Sequence, residues 1–303
     1  IDINVEIGEI MEIRKLLFVT KFEDLCYDAL NSLLALRGAA LEHVVFLNVI
    51  ERDKVAMKRG SGYLKEEEVK LKETANIRFI DWAENLFEMG LEVGAYMEVS
   101  SLIPEILRVV DKESPDLIVI GRSHKGPLEQ LYAGSDVMEL IRRTDVPVMV
   151  FKHMRGDNIV PEKLFERPLF ATNWSKTGQK TIEYIKGLKD IIGEIHIMHV
   201  VKESALKSKD THEVQKVRKA ERKKLDALCD DLGDAGINAR PHVYVGDPQK
   251  EIEKAAKEYQ VSMIILGSTE KAALLERWTG SISKNIADKS IFPCLLIPGK
   301  KDI

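Results

Sequence analysis

Residues 116–136 read DLIVIGRSHKGPLEQLYAGSD and residues 261–283 read VSMIILGSTEKAALLERWTGSIS. Both stretches keep one spacing. A short apolar run closes on a glycine (Gly121, Gly267), a Gly-Ser pair stands thirteen positions on (Gly134-Ser135, Gly280-Ser281), and thirteen beyond that comes a proline inside a last apolar run (Pro147, Pro293). An apolar run this short, bounded by glycine, predicts a strand buried on both faces, and the pattern after Gly134-Ser135, from Asp136 to Arg143, predicts a helix start. Strand, glycine loop and helix N-terminus make an anion cradle. The strand-end glycine lets the backbone come close to a ligand, and free N–H groups with the helix macrodipole attract negative charge.

Outward from these two copies, the chain alternates strand and helix. Residues 14–20 predict a first buried strand and residues 23–36, with Leu25, Ala29, Leu30, Leu33 and Leu34 at helical spacing, a helix. A strand follows at 43–50, then a charged helix across 63–89 with one exposed face, a strand at 92–99, a helix at 102–110, the first copy, and a fifth strand at 146–151. At residues 153–166 the pattern stops, with Arg155-Gly156-Asp157-Asn158 and Pro161 marking a linker. It then restarts: strands at 167–172, 194–200 and 240–245, helices at 176–188 and 213–232, Asp247-Pro248 capping a helix to about 259, the second copy, and a last strand at 292–297. The expected fold is α/β: two tandem, doubly wound, five-stranded parallel-sheet domains at 11–152 and 167–300, related by a pseudo-two-fold axis. Their closing strands should pair edge to edge across that axis, which hides two open sheet edges in one step.

Composition narrows the function. The chain has 303 residues, 45% apolar, enough for a sizeable core, and 45 basic against 49 acidic residues, for a net charge of −4. That balance argues against a nucleic-acid partner bound through bulk charge. Cys26, Cys229 and Cys294 show no metal-ligand or CxxC spacing, as expected of a reduced, cytoplasmic protein, and no apolar run is long enough to span a bilayer. GxxxxGK[ST], GxGxxG and GxSxG are all absent. His196 and His199 lie three apart on a predicted strand and should face opposite sides of the sheet, which is poor metal geometry. No catalytic or metal-binding residue is therefore assigned. The expectation is a protein that is not an enzyme, with weak ATP hydrolysis left open.

The paired Gly…Gly-Ser elements, Val245-Gly246-Asp247-Pro248, the strand ends Leu17-Phe18-Val19-Thr20 and Leu169-Phe170-Ala171-Thr172, and the proline-bearing closing strands resemble the universal stress protein family in a tandem two-domain form. The resemblance runs from Met11 nearly to the end of the chain. It implies the adenine-nucleotide α-hydrolase-like fold and a sensor or regulator of the stress response. Members carrying Gly-x2-Gly-x9-Gly-Ser, with an acidic residue just after the first strand's Thr, hold an adenine nucleotide, AMP or ATP, the latter with Mg. Here His124 and Glu270 stand at the second glycine, and Lys21 and Asn173 at the acid. Carried over by position, the nucleotide site comprises Thr20, Lys21, Val49, Gly121, His124, Gly134 and Ser135 in the first half. In the second it comprises Thr172, Asn173, Val200, Gly267, Gly280, Ser281, Ile282 and Ser283.

The chemistry of the two sites differs. Lys21, Arg122, His124 and Lys125 suit phosphate in the first half, while Asp136 repels it. In the second, the hydroxyls of Ser281 and Ser283 can bond phosphate oxygens beside helix N–H groups, whereas Glu270 opposes a triphosphate more than a monophosphate. Backbone groups at Val49 and Val200 match the place where the family holds the adenine edge. Trp174 and Trp278 are expected as packing or interface anchors ahead of adenine stacking. Two readings stay open: a nucleotide-binding sensor with at least one working site, and a nucleotide-free scaffold with degenerate sites. The expected partners are a small-molecule nucleotide and the chain's own other half, with a homodimer left open.

Overall fold

The computed structural model describes residues 12–20, 27–55, 64–122, 134–152, 163–206, 210–268 and 279–299. Its strands are β1 (Lys15–Val19), β2 (His43–Glu51), β3 (Glu92–Ser100), β4 (Leu117–Arg122) and β5 (Val148–Lys152), then β6 (Pro168–Thr172), β7 (Ile195–Val201), β8 (Ala239–Val245), β9 (Met263–Ser268) and β10 (Cys294–Pro298). The helices of the first half are α1 (Tyr27–Leu33), the single turn α2 (Arg52–Val55), α3 (Lys65–Glu88), α4 (Leu102–Glu113) and α5 (Gly134–Arg143). Those of the second are α6 (Lys176–Gly187), α7 (Thr211–Asp234), α8 (Pro248–Glu258) and α9 (Thr279–Lys289).

All ten strands form one sheet in the order β3-β2-β1-β4-β5-β10-β9-β6-β7-β8. Every pair within a half is parallel; the β5·β10 pair at the centre is antiparallel, with Met149 opposite Leu295. Met149 and Leu295 each lie two residues beyond the repeated proline. They are therefore equivalent residues, and the pseudo-two-fold axis passes between them. The closing strands meet edge to edge, as the repeat predicts.

Successive strand residues point to opposite faces, so two cores form. Phe18, Phe46 and Ile265 pack under α1, α3, α6 and α7 through Leu30, Phe79, Ile185 and Leu225. Leu17, Val45 and Ile264 pack under α4, α5, α8 and α9 through Ile106, Leu140, Ala255 and Ile286. This is the doubly wound arrangement, and each core runs through both halves.

Two details depart from the sequence reading. Leu164 and Phe165, in the stretch expected to be a linker, are buried, and the carbonyl of Phe165 accepts a hydrogen bond from the Gly193 amide. An adjacent Leu-Phe pair has more apolar surface than a solvated linker can leave in water. The first helix is α-helical only to Leu33 and then tightens into a 3-10 segment to Ala39. There Gly38 lies where a Cβ would stand 2.7 Å from Ile191 of the second half. The expected helical residues 23–26 lie outside the described residues.

The halves are also tied by a charge. Lys152, the last residue of β5, is fully buried, and its Nζ donates to the carbonyls of Ile286 (2.9 Å) and Ser290 (2.8 Å). Those carbonyls belong to the last turn of α9 and the residue after it, where the helix dipole favours a cation.

Candidate functional site

The strand order reverses between β6 and β9. The chain leaves β6 for α6 on one face and β9 for α9 on the other, so the carboxyl ends of β6, β7, β8 and β9 border an open crevice, the usual ligand position in such sheets.

Thr172 ends β6 and is buried. Its carbonyl contacts His199 Nδ1 at 2.9 Å. A carbonyl only accepts, so Nδ1 carries the proton. In the first half, Asn48 Nδ2 donates to the Thr20 carbonyl at 2.8 Å, so a different side chain makes the same cross-strand tie. The loop after Thr172 then satisfies itself. Thr172 Oγ1 accepts from the Trp174 amide, Asn173 Oδ1 from the Ser175 amide, and Ser175 Oγ caps α6 by accepting from the Gly178 amide.

Trp174 has φ of 60°, a left-handed conformation that bulky residues seldom adopt. Two contacts hold it there: its ring tilts against His199 at 5.6 Å between centroids, and Nε1 donates to Glu221 Oε2 on α7 at 2.8 Å. Burial pushes the Glu221 carboxyl up, but hydrogen bonds from Lys224 and Trp174 and the nearby His199 outweigh it and hold the group below its usual range. Trp174 is thus a packing anchor onto α7.

Beyond the ends of β7 and β8 lies a groove of about 890 Å³. One wall is Lys202, Glu203 and Ser204; the floor is Gly246, Asp247, Pro248 and Gln249; the other wall is Ile282 and Asn285 of α9. Asp247 Oδ1 caps α8 by accepting from the Lys250 amide, and Pro248 takes the first helical position, where its missing N–H costs nothing. The Gly-Asp-Pro sequence therefore does two things: it starts α8 and shapes the groove floor.

The expected site residues of the second half fall into three groups. Val200 is half-buried two residues before the groove wall, Ile282 lines the groove, and Ser283 is buried beside it. Gly280 and Ser281 belong to the first turn of α9, but their side-chain surroundings lie outside the described residues, as do Glu270 and Trp278. Gly267 has another reason to be glycine than a close ligand approach. A Cβ there would stand 3.1 Å from Thr177 Cγ2 and from Thr181 Oγ1, so α6 packs directly on it. The next residue, Ser268, is fully buried, and its hydroxyl finds no partner among the described residues.

In the first half, Thr20 and Val49 are buried at their strand ends, Gly121 is buried in β4, and Gly134 and Ser135 open α5. Lys21, His124 and Lys125 lie outside the described residues. Sequence reasoning missed His199, Lys202 and Asn285. The first had a signal, since it stands one residue before Val200 just as Asn48 stands before Val49; the other two have none in spacing alone.

The model of the Universal stress protein family matches residues 12–152 and again residues 165–298. The chain belongs to the universal stress protein family. Universal stress protein MJ0577 of Methanocaldococcus jannaschii is 26% identical over 157 residues, spanning 45% of this chain and 97% of the relative. Universal stress protein YxiE of Bacillus subtilis is 26% identical over 147 residues, 44% of this chain and 99% of the relative. Each single-domain relative thus corresponds to about half of this tandem universal stress protein. A universal stress protein from Archaeoglobus fulgidus superposes on the whole chain with a TM-score of 0.72, at 22% identity and with 97% and 99% of the two chains covered, which shows the same fold. Among the described residues of this family member, no helix is long and apolar enough to cross a membrane.

Proposed function

We propose that this universal stress protein binds an adenine nucleotide, AMP or ATP, in its second half and acts as a sensor or regulator. The observation that carries the reading is the groove between the ends of β7 and β8 and the start of α9. Its volume lies within the range of about 300–1,000 Å³ usual for small-ligand sites. Ile282 offers an apolar wall, Lys202 a cation, and the first turn of α9 free N–H groups for a phosphate. The amide NH2 of Asn173 has no partner among the described residues and can serve the sugar or base. A magnesium ion would enter with the triphosphate, held largely by its phosphates. Among the described residues, no group of three or more His, Cys, Asp or Glu is placed to hold a metal by itself. Regulation by occupancy, with turnover slow if present at all, is the reading carried forward, and the hydrolysis assay below tests it.

A specific observation favours the second reading, a nucleotide-free scaffold. The side-chain oxygens of Thr172, Asn173 and Ser175 already serve amides of the loop and of the first turn of α6. The test is to denature freshly purified protein and chromatograph the released small molecules against AMP, ADP and ATP, beside the double variant Ser281→Ala/Ser283→Ala. The nucleotide reading expects near-stoichiometric adenine nucleotide in the native protein and roughly tenfold weaker retention without the hydroxyls. An empty protein that takes up no adenine nucleotide at millimolar concentration would put the scaffold in front. Steady-state hydrolysis well above background, lost on changing Ser281, would overturn the non-catalytic role.

A further inference from the structure

The two outer edges of the ten-stranded sheet are built differently. At β8, the Gly246 amide bonds inward to Val201 and the Asn238 carbonyl inward to Ile195. Backbone groups alternate sides along a strand, so those of residues 239, 241, 243 and 245 point outward. That edge is blunted: residue 241 is a proline with no N–H, and the Val243 carbonyl is covered by Arg218 Nη2 of α7 at 3.4 Å. At β3, the Glu92 amide bonds inward to Glu42, so Val93, Ala95, Met97 and Val99 point their N–H and C=O groups outward. None of these is a proline, and none has an outward partner among the described residues.

The helices over the two edges differ in the same sense. On α3, Val69, Ile77, Ile80 and Phe87 are exposed by 46%, 62%, 48% and 59%, whereas α7 contributes no large exposed apolar residue among those described. Val69, Ile80 and Phe87 lie about three and five whole turns apart, hence in one line along the helix. Trp82 of α3 points inward, touching Phe18 of β1 and Tyr27 of α1. The exposed line is on the opposite flank, the one overhanging the β3 edge.

We propose that this face is covered by a second copy of the chain, with β3 pairing antiparallel to β3 of the other copy and the two α3 helices packing side by side across the same two-fold axis. Strand length and charge together set the register. Centring the axis on Tyr96 pairs all of Glu92–Ser100, sets Glu98 opposite Gly94 and Glu92 opposite Ser100, and lets the four outward residues exchange about eight hydrogen bonds. Moving the centre to Ala95 would set Glu92 against Glu98. The helix agrees independently. Tyr96 lies about 13 Å along β3 from Glu92, at about 3.3 Å per residue, and about 13 Å back along α3 from Glu88, at 1.5 Å per residue, reaches the turn at Ile80. The apolar line is thus centred where the strand register puts the axis. Two such helices, each above the outermost strands, would lie about 10 Å apart, a normal packing distance.

Sedimentation velocity and light scattering on the full chain at micromolar concentration test this. A dimer is expected. Ala95→Pro, which removes one outward N–H, and Ile80→Asp/Phe87→Asp, which charges the helix line, should each weaken it at least tenfold while leaving the circular dichroism of the folded chain intact. Val243→Pro, the matching change on the β8 edge, should not weaken it. Tyr96→Cys should give a disulfide-linked dimer on mild oxidation, because residues facing each other at the axis bring their Cα atoms within disulfide range. A monomeric wild-type chain, or a dimer indifferent to both sets of substitutions, would overturn the proposal.

Discussion

His242 is held neutral by where β8 puts it. Its Nε2 lies 2.9 Å from His196 Nδ1, so the two rings share one proton, and Tyr259 stacks on both at 4.2 and 4.7 Å. Burial, then the neighbouring His196, Arg222 and Arg240, push the His242 pKa down to about 4 against the opposing pull of Glu258. Burial, with Arg167 and Arg240, also lowers His196, although Glu194 pulls the other way. Tyr244, bonded to Tyr259 and Glu258, closes the cluster. Both histidines titrate lower folded than unfolded, so the unfolded chain binds more protons between the two values. Their contribution to stability is complete above about pH 6.5 and is lost as pH falls toward 4. After discounting for solvent screening, the decline should be about 1–2 kcal/mol. His242→Phe, which keeps the stack but not the titration, should flatten it in urea melts across that range; an unchanged slope would refute the assignment. At this scale the sequence was partly legible. Alternation placed His196 and His199 on opposite faces, and so they are. Their partners, His242 and Trp174, depend on strand register and on a left-handed loop residue, neither of which spacing encodes.

At the scale of elements, tight packing at Gly267 and a buried cation at Lys152 decide how the second half is held. A methyl at Gly267 would crowd Thr177 and Thr181 of α6 at 3.1 Å, and the Thr177 backbone beside them leaves little give, so Gly267→Ala should cost about 1–3 kcal/mol in urea denaturation, whether or not nucleotide is present. A ligand-only role for this glycine predicts a change in binding with stability intact. Lys152→Met removes the donor to two buried carbonyls at the end of α9 and should cost about 2–4 kcal/mol. A loss under about 0.5 kcal/mol, the scale of an inconsequential substitution, would show that water replaces the ammonium. The β5·β10 junction was legible in the residues themselves, because two proline-bearing strands at identical spacing close two copies of one fold. Lys152 was not, because its partners lie in the other half and a terminal lysine ordinarily reads as solvated.

For the whole molecule, one frame carries two unlike sheet edges and two unlike strand-end ties. Among the described residues the β3 edge is open and overhung by apolar residues while the β8 edge is blunted, and the two Thr-ended strands are tied by Asn48 in one half and His199 in the other. Periodicity and repeat spacing revealed the frame because burial on two sheet faces dictates residue type along every strand. The groove was less legible, since its walls come from segments separated by tens of residues and its floor residues also serve as helix caps. The central claim is that this groove holds an adenine nucleotide, and photo-crosslinking with 8-azido-ATP followed by peptide mapping tests it most directly. The account predicts label within residues 199–206, 244–249 or 279–285, competed away by AMP or ATP. Label confined to the first half, or none that unmodified nucleotide displaces, would contradict it.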